Sequence, residues 1–149
     1  MPEPVVAPVI ADEVLAAVAE GRHTDPHSVL GQHGFEVAHE RGPFTAIRTR
    51  RPLADAVDAV LADGTTLPLE HVGHGVWAGA GAFGPTDYRV VAHYNGDTEW
   101  SSDDPYRFAP TIGELDLHLI AEGRHEELWK SLGARCASSS RSACGRPRA

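Results

Sequence analysis

Residues 88–100 read YRVVAHYNGDTEW and contain the strongest β-hairpin signal in the chain. Alternate positions of the first half would share one face of a strand: Tyr88, Val90, Ala92 and Tyr94. Asn95-Gly96 suits the tight turn of a hairpin because both positions accept a positive φ. Residues 98–100 then supply the returning strand. This stretch indicates an antiparallel sheet.

Upstream of this hairpin, short segments with β-like patterning repeat between turn signals. We expect strands over residues 44–49, 56–61 and 66–70, and a further short segment over 72–78 around Trp77. Asp63-Gly64 predicts a second hairpin turn. Pro68 would confine its strand to a sheet edge because proline lacks an N–H. About six short strands in about 60 residues predict a mainly-β fold, a small immunoglobulin-like antiparallel β-sandwich with short flanking helices at both ends.

The flanking helices are predicted from cap signals. Asp12 is placed to cap a helix that ends near Gly21, and Asp25 to cap a single turn that begins at Pro26. After the sheet, Thr111 and Glu114 have the spacing of a capping box. The helix that follows would be broken at Gly123, and a second would cover residues 126–132 and stop at Gly133.

These signals divide the chain into four parts. Residues 1–22 form a lead-in and a short helix, 23–110 the β-sandwich, and 111–135 a helical connector. Residues 136–149 are rich in Ser, Arg, Ala and Gly and contain both cysteines, Cys136 and Cys144. Such a segment cannot bury a core and is expected to be disordered.

Composition excludes several functional classes. A net charge of -8, with Lys130 as the single lysine, argues against a surface for nucleic acid or anionic membrane. No apolar run approaches the roughly 18 residues that a membrane helix needs. The N-terminus lacks the basic segment of a secretory signal, so we expect a cytoplasmic protein.

Aromatic side chains are the candidate ligand-binding residues. Trp77 and Trp100 lie beside turn signals and could stack on sugar rings, although filling a small core is the commoner role of such residues. Histidines suggest a metal site less strongly, because their spacings are not those of a zinc site: His71 with His74, or His23, His27 and His33. The acidic residues of the connector are expected to form a solvated helix face rather than an acid/base pair: Glu114, Asp116, Glu122, Glu126 and Glu127. We expect neither a metal nor a cofactor.

Several motifs occur in the order and spacing of a known family. They are DPHSVLGQH at 25–33, DPYRF at 104–108, GELDLHL at 113–119, GRH at 123–125, and Trp129 followed by LGA at 132–134. Over about residues 20–135 the chain resembles the N-terminal part of a bacterial glycogen (1,4-alpha-glucan) branching enzyme of the long form.

The resemblance implies a function that this sequence carries only in part. Family members cut an α-1,4 glucan and transfer the segment to a 6-hydroxyl without a cofactor, on a barrel that follows a second β-sandwich. No position here matches the catalytic motifs, so no catalytic residue is assigned and we expect the chain to be inactive alone. Residues 136–149 do not match the family, and we interpret them as an out-of-frame tail after a truncation.

Two functions remain open from the sequence. One is a fragment that binds α-glucan (glycogen or maltooligosaccharide) or serves as a scaffold for the following domains of its own chain. The alternative is a free-standing, non-catalytic carbohydrate-binding or structural module. Exposure of Trp77 or Trp100 would favour binding.

Overall fold

A computed structural model describes residues 5–132 of the chain. The chain divides after Ala109 into two compact units. The first unit contains seven strands: β1 (Gly31–Phe35), β2 (Phe44–Arg50), β3 (Ala56–Leu61), β4 (Thr66–Gly73), β5 (Val76–Gly81), β6 (Tyr88–Tyr94) and β7 (Thr98–Ser102). It also contains helix α1 (Asp12–Ala19) and single 3-10 turns at Pro26–Ser28 and Pro105–Arg107. The second unit contains α2 (Glu114–Ala121) and α3 (Leu128–Leu132).

All neighbouring strands are antiparallel, in the order β1-β2-β5-β4-β3-β6-β7. Strand β4 divides its pairing: residues 66–69 face β3, whereas the rest of the strand faces β5. Strand β4 thereby joins one half of the sheet, β1, β2 and β5, to the other half, β3, β6 and β7. Strands that change sheets play the same part in β-sandwiches. This architecture confirms the predicted mainly-β antiparallel sandwich with short helices at both ends.

The main core lies between the two halves. Strands β2, β4 and β5 contribute from one side, and β3 and β6 from the other. The buried members are Ile47, Val57, Ala59, Leu61, Leu69, Trp77, Tyr88, Val90 and Ala92. Because successive residues of a strand point to opposite faces, the alternation in residues 88–94 places every second side chain in this core.

The predicted strands over 56–61 and 88–94 have the observed bounds, and both predicted hairpin turns are confirmed. Asn95 and Gly96 have φ values of 46° and 81°, and Gly64 has 88°. The sequence predicted no strand over Gly31–Phe35, because GQHGF lacks alternation. This strand depends on its pairing with β2 and on Gly31, where a Cβ atom would stand 2.6 Å from the carbonyl oxygen of Tyr106.

The prediction that Pro68 confines its strand to an edge is wrong for the strand as a whole. β4 lies inside the strand order, between β3 and β5. Pro68 itself pairs only with Asp58 of β3, and the pairing with β5 begins at Glu70. The missing N–H is therefore tolerated because Pro68 belongs to the half of β4 that has a single partner strand.

A second, smaller core forms where α1 packs against β5. It contains Leu15 of α1, Val76 of β5, and Val29 and Leu30 from the turn that precedes β1. Thus α1 belongs to the first unit.

Two predicted caps are wrong, and a third is confirmed in position only. Ala11 is the N-cap of α1, and Asp12 instead accepts a hydrogen bond from His74 Nε2 at 3.0 Å. Asp25 is the N-cap of the turn that begins at Pro26, as predicted, although its backbone carbonyl rather than its side chain accepts from the Ser28 hydroxyl, at 2.7 Å. In the second unit α2 begins after Gly113, whose N–H donates to Asp116 Oδ2 at 3.0 Å, so Thr111 and Glu114 form no capping box.

The second unit is held together by Asp116. Its Oδ1 accepts from His125 Nε2 at 2.7 Å and from the Ser131 hydroxyl at 2.9 Å, which joins α2 to α3 and to the loop between them. The interpretation of residues 136–149 as a disordered tail, the two cysteines within it and the stop at Gly133 lie outside the described residues.

Candidate functional site

Trp100 presents the largest exposed aromatic surface of the sandwich. It lies on β7, the last strand in the sheet order, directly opposite Ala92 of β6. Directly opposite residues of an antiparallel pair project to the same face. Its indole therefore leaves the sheet on the face that Ala92 and Val90 use to enter the core. Trp100 itself is 66% exposed, because β7 lies at the edge of that core.

Hydroxyl groups flank this indole. Thr98 and Ser102 lie two residues to either side of Trp100, on the same face of β7, at a spacing of about 7 Å along the strand. Arg51 Nη2 donates to the Ser102 hydroxyl at 3.2 Å. Half-buried Tyr94 pairs with Thr98. We call these five residues the Trp100 surface.

The two faces of β7 differ in charge. The opposite face carries Glu99, which pairs with His93, and His93 Nε2 is hydrogen-bonded to Asp58 Oδ2 at 3.0 Å. The Trp100 surface instead combines an indole with neutral hydroxyls and one guanidinium. An exposed indole among hydroxyl groups suits an uncharged, hydroxyl-rich ligand with an apolar face.

The hairpin that carries Trp100 is fixed at both ends. At the turn, the Asn95 N–H donates to Asp55 Oδ2 at 2.6 Å. Beyond β7, buried Asp104 accepts from the Tyr88 hydroxyl at 2.7 Å and from the Tyr106 N–H at 3.1 Å. Burial, and next the Asp104 carboxylate, raise the pKa of the Tyr88 hydroxyl, which therefore remains a donor. These anchors hold β7 in register.

The expectation that Trp77 is a candidate for exposure is wrong. Its side chain is 9% exposed, belongs to the main core, and donates from Nε1 to the carbonyl oxygen of Arg51 at 3.0 Å. Its strand lies between β2 and β4, which contribute Ile47 and Leu69 to the same core cluster. Arg51 thus connects the two tryptophans: its carbonyl accepts from Trp77, and its guanidinium supports the Trp100 surface through Ser102.

The other candidate groups have local partners. His71 accepts from the Gly75 N–H and packs its ring on Trp77, and His27 contacts the Phe108 carbonyl. Within residues 5–132 no three His, Cys, Asp or Glu side chains lie close enough together to hold a metal ion. No helix in the same described region is long and apolar enough to span a membrane.

Sequence patterning missed the role of Arg48. The sequence predicts no role for this residue of β2, yet its side chain is only 4% exposed. It lines a cleft of about 500 Å³ between residues 5–10 and the outer face of β2, β4 and β5. No short-range signal marks it, because the cover comes from a segment about 40 residues away in the chain.

Comparison with known proteins gives the family. Residues 11–106 match the model of the alpha-1,4-glucan branching enzyme GlgB N-terminal domain. The 1,4-alpha-glucan branching enzyme GlgB of Leifsonia xyli subsp. xyli is 58% identical over 136 residues, which cover 91% of this chain and 19% of that protein. The enzyme of the same name from Rhodococcus jostii is 49% identical over 137 residues, which cover 89% of this chain and 17% of that protein.

Among solved structures, apo pullulanase from Paenibacillus barengoltzii aligns with a TM-score of 0.40 at 17% identity, over 68% of this chain and 20% of that chain. A likeness of this extent is too weak to inform function. The chain spans about a fifth of the length of the branching enzymes that it matches. On the match over residues 11–106, the chain belongs to the family of N-terminal domains of the alpha-1,4-glucan branching enzyme GlgB.

Proposed function

We propose that this chain is a glucan-binding module of a 1,4-alpha-glucan branching enzyme and that the Trp100 surface is its binding site. The single observation that carries the proposal is the 66% exposed indole of Trp100 on the edge strand of the sandwich. A buried tryptophan is explained by packing alone. An indole left in water forgoes its hydrophobic stabilisation, which favours a ligand that covers it.

The chemistry of the surface fits an α-glucan. The apolar face of a glucose ring would cover the indole, and its hydroxyl groups would bond with those of Thr98 and Ser102. Such contacts are weak for a single ring, so affinity would grow with the number of glucose units that reach the strand. Because the ligand is neutral, binding should change little with salt concentration.

The proposed reaction belongs to the whole enzyme. A branching enzyme cuts an α-1,4 bond and transfers the segment to a 6-hydroxyl, and retaining chemistry of this kind needs two carboxyl groups about 5 Å apart across the sugar. We assign no catalytic residue and no cofactor to the 149 residues. The module would hold glucan close to the following domains of the same chain and so raise the local concentration of glucan there.

A second candidate function is a scaffold without glucan affinity. The burial of Trp77 favours it, because one of the two candidate tryptophans serves the core. Under this alternative, Trp100 would be covered by another protein domain rather than by sugar.

Affinity electrophoresis in gels that contain glycogen separates these functions. We expect glycogen to retard the full chain and Trp100→Ala to abolish the retardation. Trp129→Ala is the matched control, since Trp129 is 69% exposed but lies on α3 in the second unit. Folded wild-type chain that migrates equally with and without glycogen would exclude the binding function and leave the scaffold.

A further inference from the structure

The cleft beside Arg48 has the features of a second, unrelated site. Its volume of about 500 Å³ lies within the range of small-molecule sites, roughly 300–1,000 Å³. Residues 5–10 form one wall, and β4 and β5 form the other. The walls are mainly apolar, with Glu70 as an exception; representative members are Val5, Val9, Leu67, Val72, Ala80 and Glu70. We call this space the Arg48 cleft.

Arg48 brings into this cleft a positive charge that no described residue balances with an ion pair. Among residues 5–132 its guanidinium has one hydrogen bond, from Nη2 to the carbonyl oxygen of Pro8 at 2.9 Å, and buried Nε has no partner. Burial lowers the pKa of Arg48 from its ordinary value, but an arginine keeps its proton in a protein. A buried charge is costly unless it is paired.

The nearby acidic residue does not supply the missing partner. Arg48 pairs with Ala78 of β5, and Ala78 pairs with Glu70 of β4, so the charges lie two strands apart in one row. That separation is about 10 Å between backbones. Arg48 bonds to Pro8 instead, and Glu70 remains exposed.

We propose that the Arg48 cleft binds a small organic carboxylate with an aliphatic body. The planar guanidinium matches a carboxylate in geometry and charge. The apolar walls would cover the aliphatic part, which distinguishes this ligand from a sugar or a free inorganic anion. Nη2 already bonds to the Pro8 carbonyl, so a carboxylate that binds this side of the guanidinium displaces that carbonyl, and binding shifts residues 5–10.

Octanoate is the probe for this site. The comparison ligands are 1-octanol, which has the same chain length but no charge, and inorganic phosphate, which is an anion without an aliphatic chain. Amide resonances of the full chain would be followed during titration. We expect saturable shifts at Ala7, Val9, Ala78 and Gly79 with octanoate, and affinity at least about tenfold weaker for 1-octanol and for phosphate. Absence of octanoate shifts at these amides, or equal binding of either comparison ligand, would overturn the proposal.

Three variants assign the binding to the cleft. Arg48→Met removes the charge at similar length and should weaken octanoate at least about tenfold. Glu70→Gln removes a repelling charge from the lining of the cleft and should strengthen octanoate binding about twofold. Leu53→Ala, at an exposed position outside the cleft, should change nothing. Unchanged affinity in Arg48→Met contradicts the assignment.

If Arg48→Met does not fold, Val72→Trp provides the same test. Val72 lines the cleft and is partly exposed, so a larger side chain can fill the space without entering the core. We expect this variant to fold and to lose octanoate binding. Full binding by the filled variant would refute the site.

Discussion

The hydroxyl of Tyr88 donates to Oδ2 of Asp104 across 2.7 Å, and both residues are buried. The first begins β6 and the second follows β7, so this bond closes the hairpin that presents Trp100. Because the carboxylate also accepts from the Tyr106 N–H, it joins the sheet to the turn that ends it.

Tyr88→Phe should therefore destabilise the sandwich. The substitution removes a donor from a buried carboxylate and leaves the ring in place, which should lower the free energy of unfolding by about 1.5–3 kcal/mol. Urea denaturation of the two proteins measures the difference. A loss below about 0.5 kcal/mol would show that water replaces the hydroxyl and that the hairpin is not closed by this bond.

Replacing Trp77 with alanine should lower the stability of the fold far more than replacing Trp100. Trp77→Ala takes a large side chain out of the core and should cost about 3–5 kcal/mol in unfolding free energy. Trp100→Ala changes an exposed side chain and should stay within about 0.5 kcal/mol of the parent. Thermal and urea unfolding check both values, and a strongly destabilised Trp100→Ala would mean that its indole packs in the fold.

Prediction from the sequence succeeded where local signals decide the structure. Residues 88–94 and Asn95-Gly96 contain their own alternation and turn chemistry, so strand and hairpin follow without knowledge of the rest. Trp77 and Trp100 could not be separated in this way, because both lie beside turns. Strand order decides between them, and strand order depends on contacts distant in sequence.

The helix caps also show that a local sequence pattern alone does not decide the structure. Thr111 and Glu114 have the spacing of a capping box, but Asp116 takes the capping role because it also binds His125 and Ser131. Arg48 was missed for a related reason, since the segment that buries it precedes it by about 40 residues. A local pattern identifies a candidate cap or face, and tertiary packing selects among the candidates.

Asp116 should titrate far below an ordinary aspartate. Hydrogen bonds from His125, then from the Gly113 N–H and the Ser131 hydroxyl, lower its pKa to about 2. A depressed pKa stabilises the folded form above the unfolded value of about 3.9, and this contribution is lost as pH falls through about 2. The amide shift of Gly113 against pH should report a midpoint near 2.

Asp116→Asn is the control for that titration. The amide keeps an acceptor oxygen but cannot change charge, so the acid transition at Gly113 should disappear. A midpoint near 4 in the parent protein would contradict the hydrogen-bonded arrangement between α2 and α3.

Close approach of β4 and β5 should make Gly79 intolerant of a side chain. A Cβ atom there would stand 2.6 Å from Leu69 Cδ2 and 3.0 Å from the Pro68 carbonyl oxygen. Gly79→Ala should cost about 1–3 kcal/mol of stability through overpacking. Gly34→Ala is the matched control, because its nearest neighbour would lie at 3.9 Å, and it should be close to neutral. Equal stability of the two variants would contradict the packing of this strand pair.

Binding of α-glucan at Trp100 is tested most directly by titrating the full chain with maltoheptaose and following the three tryptophan indole N–H resonances. Glucan binding at this site should produce a saturable shift of the Trp100 resonance, while those of Trp77 in the core and Trp129 on α3 stay in place. A Trp100 resonance that does not move, or that moves no more than the Trp129 resonance, would contradict it.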